Sequence, residues 1–554
     1  MIHTGYPFLV KCDLCNRRKF QFLAPLSINY FKPLYLKYLT IKDIKSPLLA
    51  ALSGILLALT FPRYNLEVLA WVAWIPLFFA IENETPQMSA LLGFITGMVF
   101  YNWGLNWINN TLINYGGLHW IFSFAVLGLL SAYLSLIIAL FSYLLRKVSG
   151  ENSNHFFIFA PILWTALEYL RSTHSEYGFS WLGLGYSQFQ NLPVIQISEW
   201  TGVYGISWLI IMVNSGLYLS WKCWREQNKN PFEIKTGWRI LSVTLFVFSL
   251  WFVYGTIFWK ETLSYTSNRP HIKMGLIQGN VEQFMKWNPI YQNQVISKYK
   301  DLTLKAAKEN PSLIIWPETA TPFYFEEDEE QTESLRNLAR EIKIPILFGS
   351  PHRENKNNKK IYFNSAYLVS ETGETLNRYD KMHLVPFGEF VPFRKILFFI
   401  EKLVVMIGDF GRGKESTVMK TAGNKAGISI CYELIFPNLI RQAVKNGANF
   451  LVNVTNDAWF GKSAASYQHM SMGALRAVEN RMPLVRVANT GISGTIEATG
   501  KIRDETNLFV EDFRISLIAP ATEKKTFYSL NGDVFSWVCL FATCFGIAFW
   551  FREN

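Results

Sequence analysis

At 554 residues the chain is too long for one ordinary domain. Half of its residues are apolar, 16% are aromatic and only 17% are charged, against about 25% charged in an average soluble protein, which excludes a conventional soluble enzyme and points to a polytopic membrane protein carrying a soluble part. The net charge of +11 is what loops facing anionic lipid would carry, and no nucleic-acid motif, phosphate loop or metal-ligand cluster accompanies it.

Residues 1–45 form a basic extension with Lys11, Arg17, Arg18, Lys19, Lys32, Lys37, Lys42 and Lys45 against Asp13 and Asp43. It lacks a compact apolar core followed by a small-residue cleavage site, so no cleaved signal peptide is expected. Cys12 and Cys15 make a C-x-x-C pair, but no second pair completes a zinc site, and they read as incidental reduced thiols. Apolar runs follow at 46–62, 66–82, 88–109, 118–145, 155–171, 203–221 and 239–259, with an eighth at 534–551. About eight membrane helices are expected, which puts both termini on one side. The basic extension, Arg146, Lys147, Lys222, Arg225, Lys229, Lys235 and Arg552 all fall to that side, which the positive-inside rule assigns to the cytoplasm. Glu168 and Arg171, near the end of the fifth run, read as interfacial anchors. The chain thus divides into a cytoplasmic extension (1–45), a seven-helix membrane domain (46–261), an outer soluble domain (262–532) and a last helix with a cytoplasmic tail (533–554).

The outer domain alternates short β-rich runs (272–277, 313–316, 344–348, 366–369, 426–430, 450–454, 484–487) with helical stretches at 294–308 and 467–481, the pattern of layered α/β architecture. In the second helix Arg476, Glu479 and Arg481 read as a structural charge network. Three stretches hold side chains suited to chemistry, though each taken alone also reads as structure: Cys431 as a buried small hydrophobe, Glu318 with Lys381 as an ordinary salt bridge, Glu389 as a solvated loop charge. In 427–437, GISICYELIFP, a buried strand stops at Cys431 and turns, exposing sulfur at the mouth of a site. In 313–322, LIIWPETATP, a strand ends in a poorly solvated Glu318, suited to act as a general base. In 379–392, YDKMHLVPFGEFVP, Lys381 offers a cation for a thiolate or an oxyanion and Glu389 a partner for it. Of six cysteines, Cys431 is alone in the outer domain, where disulfides would be permitted, so an unpaired thiol there favours a reactive role. The apolar but charge-dotted stretch 393–410 reads as an amphipathic arm at the membrane surface. With Phe323, Tyr324 and Phe325 it is expected to form an apolar path from bilayer to thiol.

In this order and spacing, Glu318, Lys381 and Cys431 resemble the Glu-Lys-Cys triad of the nitrilase, or carbon–nitrogen hydrolase, superfamily. WPET, KMHLVPFGEFVPF and CYELIFP together, with Gln278-Gly279-Asn280, Lys286-Trp287, NVTNDAWFG (453–461) and 476–493, are similar to its membrane-bound branch, the apolipoprotein N-acyltransferases. The resemblance implies an αββα sandwich on the periplasmic side of a bacterial inner membrane. It also implies a thioester intermediate at Cys431, a phospholipid acyl donor and, as acceptor, the α-amino group of the diacylglyceryl-cysteine of an apolipoprotein. Supporting roles fall to Glu389, Tyr432, Glu433 and Trp287. No metal or other cofactor, no nucleic acid and no oligomer is expected. A membrane-tethered amidase using water as acceptor is the alternative; a transporter or lipid-binding scaffold would leave the triad unexplained.

Overall fold

A computed structural model describes residues 41–553 apart from 151, 175–177, 227–230, 287, 357–358, 391–409 and 523. The greater part of the basic extension with Cys12 and Cys15, the side chain of Trp287, and the arm 393–410 up to Phe410 lie outside the described residues.

Each of the eight apolar runs is helical. The segments are Ile41–Leu59, Glu67–Trp71 with Ile75–Ile81, Pro86–Gly104 with Trp107–Asn114, Trp120–Ser149, Ser153–Thr173, Val203–Glu226, Pro231–Ser267 and Val534–Glu553. Among the described residues, however, four helices are long and apolar enough to cross a bilayer, or five if the pair 86–104 and 107–114, bent by 56°, counts as one span. The count of eight therefore does not follow from length and apolarity. Residues 44–59 and 67–81 are short, the latter broken into a 3-10 turn and a seven-residue helix, and the 153–173 helix carries Asn154, His155, Glu168 and Arg171. Exposed Leu129, Phe246, Val253, Phe541 and Phe545 give the long helices apolar outer faces, as lipid contact requires. The helix Pro231–Ser267 has 37 residues, about 55 Å of length against a hydrocarbon core of about 30 Å. It therefore has length to spare beyond a bilayer before the chain enters the first strand.

Four basic residues, Arg146, Lys147, Lys222 and Arg225, gather at one end of the bundle. Arg225 and Lys222 pair with Glu82 at 2.5 and 3.8 Å, Arg146 Nε donates to the Glu84 carbonyl at 2.9 Å, and Lys147 lies 5.1 Å from the ring centres of both Trp550 and Phe551. The expectation that Glu168 and Arg171 anchor at an interface is not met. Both are buried: the Leu184 N–H donates to Glu168 Oε1 at 2.6 Å, and Arg171 Nη1 donates to the Tyr101 hydroxyl at 2.7 Å. The segment after the helix folds back over its end, so position in sequence near a span boundary did not mean exposure.

Two six-stranded sheets build the α/β part. The first has the order β12-β1-β2-β3-β4-β5, with β1 Ile272–Gln278, β2 Leu313–Ile315, β3 Ile346–Lys356, β4 Lys359–Val369, β5 Thr375–Asp380 and β12 Asp512–Ile518. The second runs β11-β10-β9-β8-β7-β6, with β6 Val418–Thr421, β7 Asn424–Ile430, β8 Phe450–Thr455, β9 Leu484–Ala488, β10 Gly494–Ile496 and β11 Ile502–Arg503. The central strands β1-β2-β3 and β7-β8-β9 are parallel, and their near-continuous apolar composition is that of strands buried on both faces.

Strand alternation then sorts the side chains into layers. Leu276, Leu313, Ile315 and Leu347 from one sheet meet Ile428, Ile430, Val452 and Val485 from the other in a single core between the sheets. Ile277, Ile314, Ile346 and Phe348 point the other way, onto the helices Gln292–Ala307 and Glu329–Ile342. Leu451, Leu484 and Ile496 back onto the helices Pro437–Lys445 and Ala465–Asn480. The result is the expected αββα sandwich. The runs expected at 344–348 and 366–369 are longer strands, because β3 and β4 pair as a hairpin from Ile346↔Val369 out to Lys356↔Lys359. The hairpin carries them past their apolar parts.

The outer core does not stop at the sandwich. Leu434, Ile435, Ile440, Met470, Leu475 and Ile496 belong to the same buried apolar cluster as Leu57, Trp74, Phe141, Leu163 and Ile206 of the membrane helices. Arg476, Glu479 and Arg481 fasten this seam. Arg476 Nη2 donates to Glu479 Oε1 at 2.7 Å and to the Tyr186 hydroxyl at 3.1 Å, the Val203 N–H donates to Glu479 Oε1 at 3.1 Å, and Arg481 Nε donates to Glu199 Oε2 at 2.9 Å. The network is structural, as expected from the sequence, and what it joins is the sandwich to the membrane helices.

Candidate active site

The carboxyl ends of parallel strands are where α/β sheets leave room for ligands, and the three triad candidates meet there. Glu318 follows β2, Lys381 follows β5 and Cys431 follows β7. Cys431 has φ of +53°, the left-handed region that costs a non-glycine residue about 1–3 kcal/mol and that tends to be kept where function needs it. This turn ends the strand abruptly and starts the 3-10 turn Cys431–Ile435, so the sulfur sits at the strand end on a rigid base. The thiol is buried, 8% exposed. Burial pushes its pKa up to about 12, the charge of Glu318 adding to the shift and Lys381 opposing it. At rest it is a neutral thiol that needs a base.

Glu318 is positioned by two donors, Asn364 Nδ2 to Oε1 and the Asn456 N–H to Oε2, both at 2.7 Å. Thr319, just after it, is also left-handed at φ +49°. Gly349 of β3 packs directly beneath, where a Cβ would come within 2.5 Å of the Thr319 nitrogen. Lys381 Nζ lies 2.9 Å from Glu389 Oε1 and 3.6 Å from Glu318 Oε1. Burial would lower the lysine's pKa, but the two carboxylates override it and hold the ammonium well above its usual range, so Lys381 is a fixed cation. Asn364 Nδ2 also donates to Glu389 Oε1 at 3.0 Å, and the Val385 N–H donates to Glu389 Oε2 at 2.8 Å. Moving the Cys431 proton to Glu318 leaves the charge of this pocket unchanged, which is how a buried thiolate becomes attainable.

The supporting residues divide. Glu433 is fully buried and receives four donors: Ile430 N–H at 2.7 Å, Met382 N–H at 2.6 Å, His383 N–H at 3.0 Å and the Tyr379 hydroxyl at 2.9 Å. It thereby clamps the lysine loop to the cysteine turn. Tyr432 is stacked on Trp181 with ring centres 6.5 Å apart and edge-on to Phe436 at 5.1 Å. Phe323 and Phe325 do not line a path to the thiol. The left-handed turn at Thr319 sends the chain back into the sandwich, where Phe325 packs against Phe348 and Tyr367 in the core, and Tyr324 packs on Tyr362.

Two family models match the chain: carbon-nitrogen hydrolase over residues 274–528 and apolipoprotein N-acyltransferase N-terminal domain over 53–216. The apolipoprotein N-acyltransferase of Geobacter metallireducens is 42% identical over 515 residues, which cover 92% of this chain and 95% of that protein. The chain belongs to the apolipoprotein N-acyltransferase family. Namesakes from Methylococcus capsulatus and Haemophilus influenzae are 33% and 31% identical over 88% of this chain, covering 93% and 91% of theirs.

Several residues of this N-acyltransferase site carried no assigned role in the sequence reading. Asn364 and Asn456 hold the Glu318 carboxylate. Asn453 Nδ2 and His469 Nε2 both donate to the Cys431 carbonyl, at 3.3 and 3.2 Å. Arg486 ties that floor together, donating to Asn453 Oδ1 at 2.6 Å, to Asp457 Oδ2 at 2.8 Å and to His469 Nδ1 at 3.0 Å. Burial and Arg486 together lower the His469 pKa to about 4, so its ring is neutral. The available signal was an asparagine or histidine inside an otherwise apolar strand or helix, which must find partners when buried.

Lys286 is a further such residue. Fully buried, its Nζ donates to the Glu318 carbonyl at 3.1 Å. Burial lowers its pKa from the ordinary 10.5 to about 7, Glu318 opposing the shift. A depressed lysine pKa disfavours the charged form in the folded state, so the lysine's contribution to stability is full above about pH 10.5 and is lost as pH falls through about 7. Lys286→Met is therefore expected to gain stability on the parent progressively from pH 10 down to 6, by a few kcal/mol. Thermal unfolding of both proteins across that range measures it, and parallel curves would refute it.

Proposed function

We propose that the protein transfers a fatty acyl chain from a phospholipid to the α-amino group of the N-terminal S-diacylglyceryl-cysteine of apolipoproteins, through a thioester on Cys431. The observation that carries this reading is the neutral, buried thiol on a left-handed turn, flanked by an oriented carboxylate and a fixed ammonium, in a sandwich whose core is continuous with that of the membrane helices.

In the first half-reaction Glu318 takes the S–H proton as sulfur attacks the ester carbonyl. Lys381 and backbone N–H groups near Cys431 hold the oxyanion. The ester C–O bond breaks, the leaving lysophospholipid oxygen takes the proton from Glu318, and the thioester remains. In the second, the acceptor amine loses a proton to Glu318 and attacks the thioester; the C–S bond breaks and sulfur recovers the proton. Glu389 positions Lys381, and Glu433 and Tyr432 shape the turn; Trp287, outside the described residues, is assigned to the acceptor path on the motif alone. The order is ping-pong, without metal or other cofactor, and the protein acts as a monomer. A dry site keeps water from the thioester, which distinguishes this reading from an amidase.

The division at residues 45, 261 and 532 goes with an inner-membrane protein whose sandwich faces the periplasm and whose termini are cytoplasmic. The clustering of Arg146, Lys147, Lys222 and Arg225 beside Trp550 and Phe551, with Ser46 reaching Glu84 at the same end, supports that orientation, because cytoplasmic ends are the basic ones.

Intact mass spectrometry after incubation with phospholipid tests the reading. A fatty-acyl mass gain on the parent, released by hydroxylamine, mapped to Cys431 and absent from Cys431→Ala, is the expected result. An active preparation that never carries the adduct would overturn it, and net hydrolysis with lipoprotein acceptor present would favour the amidase.

A further inference from the structure

Gln468 and His469 stand side by side in the helix Ala465–Asn480, both fully buried, and face different neighbours. His469 holds the Cys431 carbonyl from the sandwich side. The side-chain amide of Gln468 makes four hydrogen bonds, none to the sandwich. Trp107 Nε1 and Trp181 Nε1 donate to its Oε1 at 3.1 and 2.7 Å, and its Nε2 donates to the carbonyls of Pro62 and Gly104, both at 3.1 Å. These partners come from three separate stretches of the membrane part, and Gly104 lies at the 56° bend between the helices 86–104 and 107–114. A buried glutamine with every donor and acceptor satisfied across distant segments is a geometric lock.

The lock reaches the nucleophile through Trp181. Its ring packs on Trp107 at 5.1 Å, on His469 at 5.6 Å and, stacked, on Tyr432 at 6.5 Å, so one indole from the membrane part touches both the residue that holds the Cys431 carbonyl and the residue that follows Cys431. A second tie runs beside it. The hydroxyl of Thr111 donates to the Trp459 carbonyl and that of Tyr115 to the Ala458 carbonyl, both at 2.8 Å, next to Asp457, which with Arg486 braces His469. The left-handed turn at Cys431 is held on its carbonyl side by Asn453 and His469, and the latter is seated by a membrane-part residue.

We propose that Gln468 is a positioning residue for the nucleophile: it fixes Trp181 against His469 and Tyr432, and so makes the reactive geometry of Cys431 depend on the docked, bent arrangement of the membrane helices. The proposal rests on the assignment of Cys431 as nucleophile. It adds that the thiol is competent only when the turns at Pro62 and Trp181 and the helix end at Gly104 are in register with the sandwich.

The test compares the full-length parent with Gln468→Leu and Trp181→Phe, the latter keeping a ring against His469 while losing the N–H that reaches Gln468. Two rates are read per folded molecule, with the folded fraction taken from thermal unfolding: alkylation of Cys431 by iodoacetamide, and acylation of Cys431 from phospholipid vesicles as a function of lipid concentration. Gln468→Leu is expected to slow both at least tenfold, lowering the maximal acylation rate while the half-saturating lipid concentration stays unchanged, and Trp181→Phe to slow both by a smaller factor. Alkylation within twofold of the parent in both variants overturns the proposal. If Gln468→Leu does not fold, Trp181→Phe decides by the same measure. A parent that is alkylated normally but never acylated overturns the acyl-transfer reading instead, and the alkylation rates still decide the positioning role.

Discussion

Glu318→Gln is expected to slow acylation of Cys431 at neutral pH by about 10³-fold, the usual worth of a positioned general base. Lys381 is held as a cation by Glu389 and Glu318 and cannot take a proton. His469 spends its Nε2–H on the Cys431 carbonyl and is braced by Arg486 on the other side. Burial, reinforced by the Glu318 charge, pushes the thiol up to about 12, so at pH 8 spontaneous thiolate amounts to roughly one molecule in 10⁴. The amide of glutamine preserves the shape of Glu318 but turns a donor toward either Asn364 or the Asn456 N–H, which already donate there. The pH dependence separates a base from a mere scaffold. Parent acylation should be nearly flat from pH 7 to 10, whereas the variant should climb close to tenfold per pH unit, because it draws on thiolate whose fraction rises with pH. Single-turnover acylation followed by mass spectrometry measures both slopes, and identical profiles would remove Glu318 from the base role.

Glu433→Ala should produce the largest loss of stability of any single change at the site. Four donors converge on one buried carboxylate, and an unsatisfied buried donor costs about 1–3 kcal/mol. Even with partial relaxation, a loss of at least about 4 kcal/mol is expected, which for a domain of this size lowers the melting temperature by about 10 °C. The same change frees the loop of Lys381 from the turn of Cys431, so acylation by the fraction still folded should fall about 10²-fold. Glu433→Gln, which keeps the shape and one acceptor oxygen, should lie between the two. Thermal unfolding combined with single-turnover acylation checks both parts; an Ala variant that melts like the parent would show that the clamp is dispensable.

Much of this site was legible in the chain because it lies where strands end. An apolar run that stops at Glu318 or Cys431 announces a strand terminus, and parallel strand termini converge, so local patterns at positions over a hundred residues apart pointed to one place. Side chains that act sideways left a weaker trace. Asn364 sits inside β4, and nothing in FNSAY foretells that its amide bridges Glu318 and Glu389. Phe323 and Phe325 show the opposite error: they follow Glu318 in sequence, but a single left-handed residue reverses the chain and buries them in the core. The membrane part was read correctly as helical and less well as a set of spans. A bundle that covers Glu168 and Arg171 with its own returning segment can afford helices that are short, bent or polar, and apolar run length alone does not register that cover.

The apolar core that runs without a break from Leu57 and Trp74 to Leu434, Met470 and Ile496 has a consequence for how such a protein is inherited and engineered. The two recognisable halves of the chain are separable as text but not as objects. A fragment carrying the sandwich alone would leave a greasy floor open to water, and a chimera that exchanged one half for a distant cousin's would bring together two surfaces never fitted to each other. Substitutions along this seam are then tolerated in pairs rather than singly, and the whole chain, not either half, is the unit that can be transplanted.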